Sequence, residues 1–218
     1  FKTMKSIRLY RLSRNLELVE QEGPRENAPA GREYNIEAVA IGSSTGGPSA
    51  LNIILTKLLA DFPAGVAISQ HMPKGFTASF AERLNGICKI KIKEAQEGDE
   101  LETGRALICP GGAHMVFRKR GRRVVTVIKE PKGADKYIPS VDAMMSSIAE
   151  IYGQKSMGVV LTGMGNDGTS GMLDIQKAGG YTIAESEETA VVFGMPSEVI
   201  KAGAAGKILP ISDIPLEM

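Results

Sequence analysis

Three polar residues stand where apolar runs end, and their types are those of an acyl-transfer site. Ser44 lies in Gly42-Ser-Ser-Thr-Gly-Gly47, directly after the β-rich run Ala38-Val-Ala-Ile41. His71 follows Val66-Ala-Ile-Ser-Gln70, and Asp167 lies in Thr162-Gly-Met-Gly-Asn-Asp-Gly168, just after Gly158-Val-Val-Leu161. A serine hydroxyl is a weak nucleophile until an imidazole takes its proton. An ionised carboxylate then holds the imidazole in the right tautomer and stabilises the imidazolium. Gly42-x-Ser44-x-Gly46 also matches the G-x-S-x-G nucleophile elbow, a tight strand-to-helix turn that lifts the serine clear of the sheet. Glycine suits such a turn because a neighbouring Cβ would clash and a substrate must approach the backbone. Backbone N–H groups of these loops could bind an oxyanion, an effect of roughly 2.7–4 kcal/mol per donor, and a helix starting near Pro48 would add its positive end.

Each residue alone has a plainer reading: Ser44 as a turn or cap, His71 as a structural histidine before Met72-Pro73, Asp167 as a turn former. Together they supply all three roles. The chain order Ser…His…Asp is not that of the α/β-hydrolases, so the elbow match does not carry that fold with it. His114, in Pro110-Gly-Gly-Ala-His-Met115, is the other histidine and the alternative base, or a residue at the site's edge. Asp142 follows Pro139-Ser140 at a helix start and reads as a cap rather than a triad acid.

The elements that must position these residues alternate. Strands are expected at 37–41, 65–70, 89–93, 106–109, 158–161, 181–185 and 207–209; helices at 49–59, 77–84, 140–152, 169–177 and 196–202. Leu51, Ile54, Leu55 and Leu58 give the first helix one buried face. The alternation predicts an α/β fold, a doubly wound, mostly parallel sheet flanked by helices. Residues 114–118 and 123–129 flank Lys119-Arg-Gly-Arg122 and read as an inserted antiparallel β-hairpin. Its basic residues Arg118, Lys119, Arg120, Arg122 and Arg123 form either a solvated surface or a docking face for acidic helices. In an open parallel sheet ligands bind beyond the carboxyl ends of the strands, and Ser44, His71 and Asp167 all fall on that edge.

The chain of 218 residues suits one substantial domain, residues 37–218, preceded by a basic, turn-rich tether over 1–36. Its start at Phe1 suggests a fragment. Hydrophobic residues at 43% can fill a core, and a net charge of +1 argues against a nucleic-acid partner. No apolar run reaches the roughly 18 residues of a membrane span, and no secretory signal is visible. Cys88 and Cys109 lack metal-ligand spacing and read as buried thiols of a cytoplasmic protein. No metal or cofactor is expected.

Ile41-Gly-Ser-Ser-Thr-Gly-Gly47, Ser69-Gln-His-Met-Pro73, Phe76-Thr-x-Ser-Phe-Ala-Glu-Arg-Leu84 and Leu161-Thr-Gly-Met-Gly-Asn-Asp-Gly168 resemble the catalytic domain of the chemotaxis protein-glutamate methylesterase (CheB) family. Cys109-Pro-Gly-Gly-x-His-Met115 and Val192-Phe-Gly-Met-Pro196 fit as well, and the resemblance covers roughly 37–212. It implies hydrolysis of glutamate γ-methyl esters on chemoreceptors with release of methanol, and in some members deamidation of receptor glutamines. The family's nucleophile falls on Ser44, its base on His71 and its acid on Asp167. Its oxyanion and site-lining positions fall on Thr45, Met164 and Met195. Members usually carry an N-terminal receiver domain, phosphorylated by a histidine kinase, which occludes the site. Residues 1–36 resemble only the interdomain linker, so a freely available site is expected.

Two other functions fit part of the pattern. A phosphate-binding module could use Gly42–Gly47 before a helix, but the loop lacks a P-loop lysine and does not fit G-x-G-x-x-G. A receptor-binding module without catalysis would not need the three residues intact.

Overall fold

A computed structural model describes residues 35–218. The tether expected over 1–36 lies, apart from its last two residues, outside the described residues. The strands are β1 (Ala38–Ser43), β2 (Gly65–Gln70), β3 (Lys91–Glu94), β4 (Arg105–Ile108), β5 (His114–Arg120), β6 (Arg123–Lys129), β7 (Ser156–Val160), β8 (Tyr181–Glu185) and β9 (Lys207–Leu209). The helices are α1 (Gly47–Leu55), α2 (Thr77–Asn85), α3 (Val141–Tyr152), α4 (Thr169–Lys177), α5 (Met195–Lys201) and α6 (Ile214–Glu217). Seven of the strands form one parallel sheet in the order β3-β4-β2-β1-β7-β8-β9. The expected hairpin is present as β5 paired antiparallel with β6. Its outer end is basic and exposed, with Arg118 facing Glu97 and Arg123 facing Glu100 across the surface.

The central strands read as near-continuous apolar runs because both faces are covered. Val39 and Ile41 of β1 and Val66 and Ile68 of β2 pack with Leu51, Ile54 and Leu55 of α1 and Phe80 and Leu84 of α2. Ala38 and Ala40 of β1 face the other way, against Met144, Met145 and Ile148 of α3 and Met172 and Ile175 of α4. Each of these larger side chains contributes roughly 1.5–3 kcal/mol by leaving water. The small residues on the second face of β1 let α3 lie close to the strand. Gly42 is the extreme case: a Cβ there would run into the Val141 side chain, the first residue of α3.

Helix α1 ends at Leu55, four residues before the expected Leu59. The Thr56 hydroxyl donates to the carbonyls of Asn52 (2.7 Å) and Ile53 (3.3 Å), and the next turn tightens to i→i−3 bonds, Lys57 N–H to Ile54 and Leu58 N–H to Leu55. Leu58 nevertheless stays buried, so the apolar periodicity outlasts the helix. The short α6 is additional to the expected helices; a single turn is too short to write a periodic pattern. Among the described residues no helix is long and apolar enough to cross a membrane.

The chain starts its sheet in the middle. From β1 it moves through α1 to β2 on one side, and later enters β7 on the other side of β1. The loops after β1 and β7 therefore diverge, leaving a crevice at the carboxyl edge between them. Gly42→Ala is expected to destabilise the protein by about 1–3 kcal/mol through overpacking against Val141. Urea unfolding measures it, and adding Val141→Ala should restore much of the loss.

Candidate active site

Strand β1 delivers Ser44 one residue past its end, β2 delivers His71 one residue past its end, and the loop after β7 carries Asp167. The two sequence-distant partners meet: His71 Nε2 and Asp167 Oδ2 are 2.7 Å apart, with side-chain exposures of 14% and 1%. Ser44, Thr45, His71, Met72 and Phe76 line one cleft of about 420 Å³. Among the described residues no hydrogen bond joins Ser44 Oγ to the imidazole. With Nε2–H donated to Asp167, the nitrogen left to accept a proton from Ser44 is Nδ1.

Asp167 is held by a helix it does not belong to. Its Oδ2 accepts from Val141 N–H (2.7 Å), and its Oδ1 from Asp142 N–H (2.9 Å) and the Ser140 hydroxyl (3.4 Å). These are the first free amides of α3 and its N-cap, where a helix presents unpaired donors and positive potential. The reverse contact is made by Asp142. Its Oδ1 accepts from Gly168 N–H (2.9 Å) and Gly171 N–H (2.8 Å) at the start of α4. Asp142 is thus a cap, as expected, but of the neighbouring helix. Burial pushes its carboxyl above the usual range, the two glycine N–H bonds oppose this, and the nearby Asp167 charge adds to it.

The Ser44 loop is pinned from beneath. Gln70, buried at the end of β2, donates from Nε2 to the carbonyls of Ser44 (3.0 Å) and His71 (2.9 Å), while its Oε1 accepts from Ser43 Oγ (2.7 Å). Ser44 N–H donates to Thr162 O (3.0 Å), and Thr162 Oγ1 donates to Thr45 O (2.9 Å). Glu185 Oε2 then accepts from Thr162 N–H (2.8 Å), and its Oε1 from the Thr189 hydroxyl (3.0 Å). Gln70, Thr162 and Glu185 are absent from the residues expected at the site. The available signal was a polar side chain ending an otherwise apolar, fully buried run.

Of the remaining expected residues, Thr45 is exposed in the turn before α1 and Met164 is 69% exposed. The Met164 loop passes close to Ser44, since a Cβ on Gly163 would lie 2.7 Å from Ser44 Cβ. No acceptor among the described residues takes the backbone N–H of Thr45 or of Met164. Met195, expected to line the site, is instead fully buried, and its N–H is already donated to Gly163 O (2.8 Å), so it supports the loop from behind. His114 is no alternative base for Ser44. Its Nδ1 accepts from Ser140 N–H and its Nε2 meets Asp135, both at 3.0 Å, so both ring nitrogens are engaged.

The fold and site define a doubly wound α/β protein with a serine, a histidine and an aspartate gathered at the switch point of its sheet, an arrangement suited to acyl transfer. The chain belongs to the CheB methylesterase family, whose model matches residues 39–218. It is 53% identical over 199 residues to the protein-glutamate methylesterase/protein-glutamine glutaminase 3 of Geobacter sulfurreducens, covering 91% of this chain and 52% of that protein. With the corresponding protein of Desulfitobacterium hafniense it shares 46% over 183 residues, 84% of this chain and 47% of the relative. The chain thus spans about half the length of the curated relatives it matches. The crystal structure of the Thermotoga maritima CheB methylesterase catalytic domain superposes with a TM-score of 0.81 at 42% identity, covering 84% of this chain and 96% of that one.

Burial also raises the Glu185 carboxyl, with its bonds from Thr162 and Thr189 opposing. A folded value above the unfolded one means that the contribution to stability is full at acid pH and is lost as pH rises through the raised value. Glu185→Gln should therefore match the parent in Tm near pH 4, about where a free carboxyl titrates, and exceed it increasingly as pH rises through the raised value. Calorimetry across that range checks this; a difference independent of pH would contradict it.

Proposed function

We propose that this chain hydrolyses γ-methyl esters of glutamate on methyl-accepting chemotaxis receptors, releasing methanol, and that the same site can deamidate receptor glutamines. The observation that carries the reading is the 2.7 Å pair of His71 and Asp167, with His71 lining the same cleft as Ser44. Ser44 attacks the ester carbonyl while His71 Nδ1 takes its proton. Asp167, immobilised by the α3 amides, fixes the tautomer and balances the imidazolium charge. The N–H groups of Thr45 and Met164, both without an acceptor among the described residues, are the donors for the developing oxyanion. The C–O bond to the methoxy group breaks as the imidazolium returns the proton, so methanol leaves and an acyl-Ser44 ester remains. Water, deprotonated by the same imidazole, then releases Ser44 and the glutamate carboxylate. With an amide substrate the leaving group is ammonia and the product is identical.

The names of the relatives pair both activities, which supports the two substrates. Their greater length leaves room for a receiver domain, addressed by a histidine kinase, as the regulatory partner in a longer protein of the family. Two free thiols fit the reducing cytoplasm; Cys109 is buried and its pKa is pushed up to about 12, which leaves it unreactive.

Methanol release from methyl-esterified chemoreceptor is the test. Ser44→Ala and His71→Ala should each lower kcat by about 10³-fold or more. Release that survives Ser44→Ala, or a parent chain that binds receptor and releases none, would overturn the assignment.

A further inference from the structure

The segment between β6 and α3 carries a feature that the hydrolytic reading leaves unused. The Tyr137 ring lies parallel to the His71 imidazole, 2° between planes and 5.3 Å between centroids. The bond to Asp167 holds only one atom of the imidazole, about which the ring can still turn; a ring stacked on its face restricts that motion and excludes water there. We propose that Tyr137 is a positioning residue for His71, and that the His114–Asp135 pair is the latch holding Tyr137 in place. The proposal rests on His71 acting as the base.

Tyr137 is held through Asn166, Lys136 and the backbone at Gly165. Its hydroxyl donates to Asn166 Oδ1 (3.0 Å) and accepts from Asn166 N–H (3.3 Å), tying it to the residue beside Asp167. The Lys136 ammonium sits 4.8 Å from the Tyr137 ring centroid and bonds the same Asn166 oxygen at 3.1 Å. Gly165 has φ +97°, and a Cβ there would collide with the Tyr137 hydroxyl. The Asp167 loop is therefore shaped to receive this side chain.

The latch is the buried His114 on β5. Because Ser140 N–H donates to its Nδ1, the proton of the neutral ring is on Nε2, which donates to Asp135 Oδ2. One imidazole thus grips the segment on both sides of Tyr137, at residues 135 and 140. Asp135 also accepts from Lys132 N–H at 2.6 Å, closing the turn. Ser140 in turn places its hydroxyl on Asp167, so the two histidine–aspartate pairs meet at the N-cap of α3.

The test compares Tyr137→Phe, Tyr137→Ala and Asp135→Ala with the parent by methanol release from methyl-esterified receptor, and by ¹⁵N-resolved imidazole signals of His71 without substrate. Phenylalanine keeps the stack and should keep kcat within about threefold, whereas alanine should lower kcat about tenfold or more with KM nearly unchanged, the signature of a misplaced reacting group. Asp135 is exposed, and its loss should act in the same direction but less. In Tyr137→Ala the His71 signals should broaden or split. Full activity in Tyr137→Ala, an equal loss in both Tyr137 variants, or a rise in KM at constant kcat would each overturn the positioning role. A parent chain that releases no methanol would instead overturn the hydrolytic reading, while the His71 signals would still report whether the stack orders the ring.

Discussion

The carboxylates exchanged between two helix starts are the contact on which the rest of the site depends. Asp167 leaves the loop before α4 and binds the first amides of α3, and Asp142 leaves the first turn of α3 and binds the first amides of α4. Two like charges placed close together are unfavourable, and burial makes each more so. Four backbone N–H donors and two favourable helix ends offset that cost. The consequence is geometric. Asp167 cannot move without α3, and α3 cannot move without β1, because Gly42 admits Val141 directly against the strand.

That chain of contacts explains why a loop residue can be placed as firmly as a core residue. Loops carry chemistry because they are free to vary, yet an acid that orients an imidazole tolerates little displacement. Here the loops are tied down twice. Helix amides hold the Asp167 side from above, while Gln70, Thr162 and Glu185 hold the Ser44 side from within the sheet. Glu185 is the costly member, a buried carboxyl with a raised pKa; its two hydrogen bonds serve the loop and not the core.

The topology supplies the setting. In a sheet that starts at its centre, the loops leaving β1 and β7 diverge, and the starts of α3 and α4 meet there through Asp167 and Asp142. The start of α3 faces Asp167 and supplies its carboxylate with N–H donors and positive potential.

Much of this was legible in the residues. The seven parallel strands, five of the helices and the hairpin come from apolar runs of strand length alternating with 3.6-residue periodicity, because a strand buried on both faces and a one-faced helix write different patterns. Ser44, His71 and Asp167 each follow an apolar strand run, which is what singled them out in the sequence; the structure pairs His71 with Asp167 and sets His71 and Ser44 along one cleft. The tertiary structure alone decided everything set by contact between segments far apart in the chain. Asp142 caps a helix other than its own, His114 spends both nitrogens on the segment before α3, Met195 is buried, and Gln70 joins the loops that follow β1 and β2. Local sequence carries propensity and periodicity, which depend on neighbours a few residues away. Which carboxylate reaches which helix end depends on packing distances that only the folded chain decides.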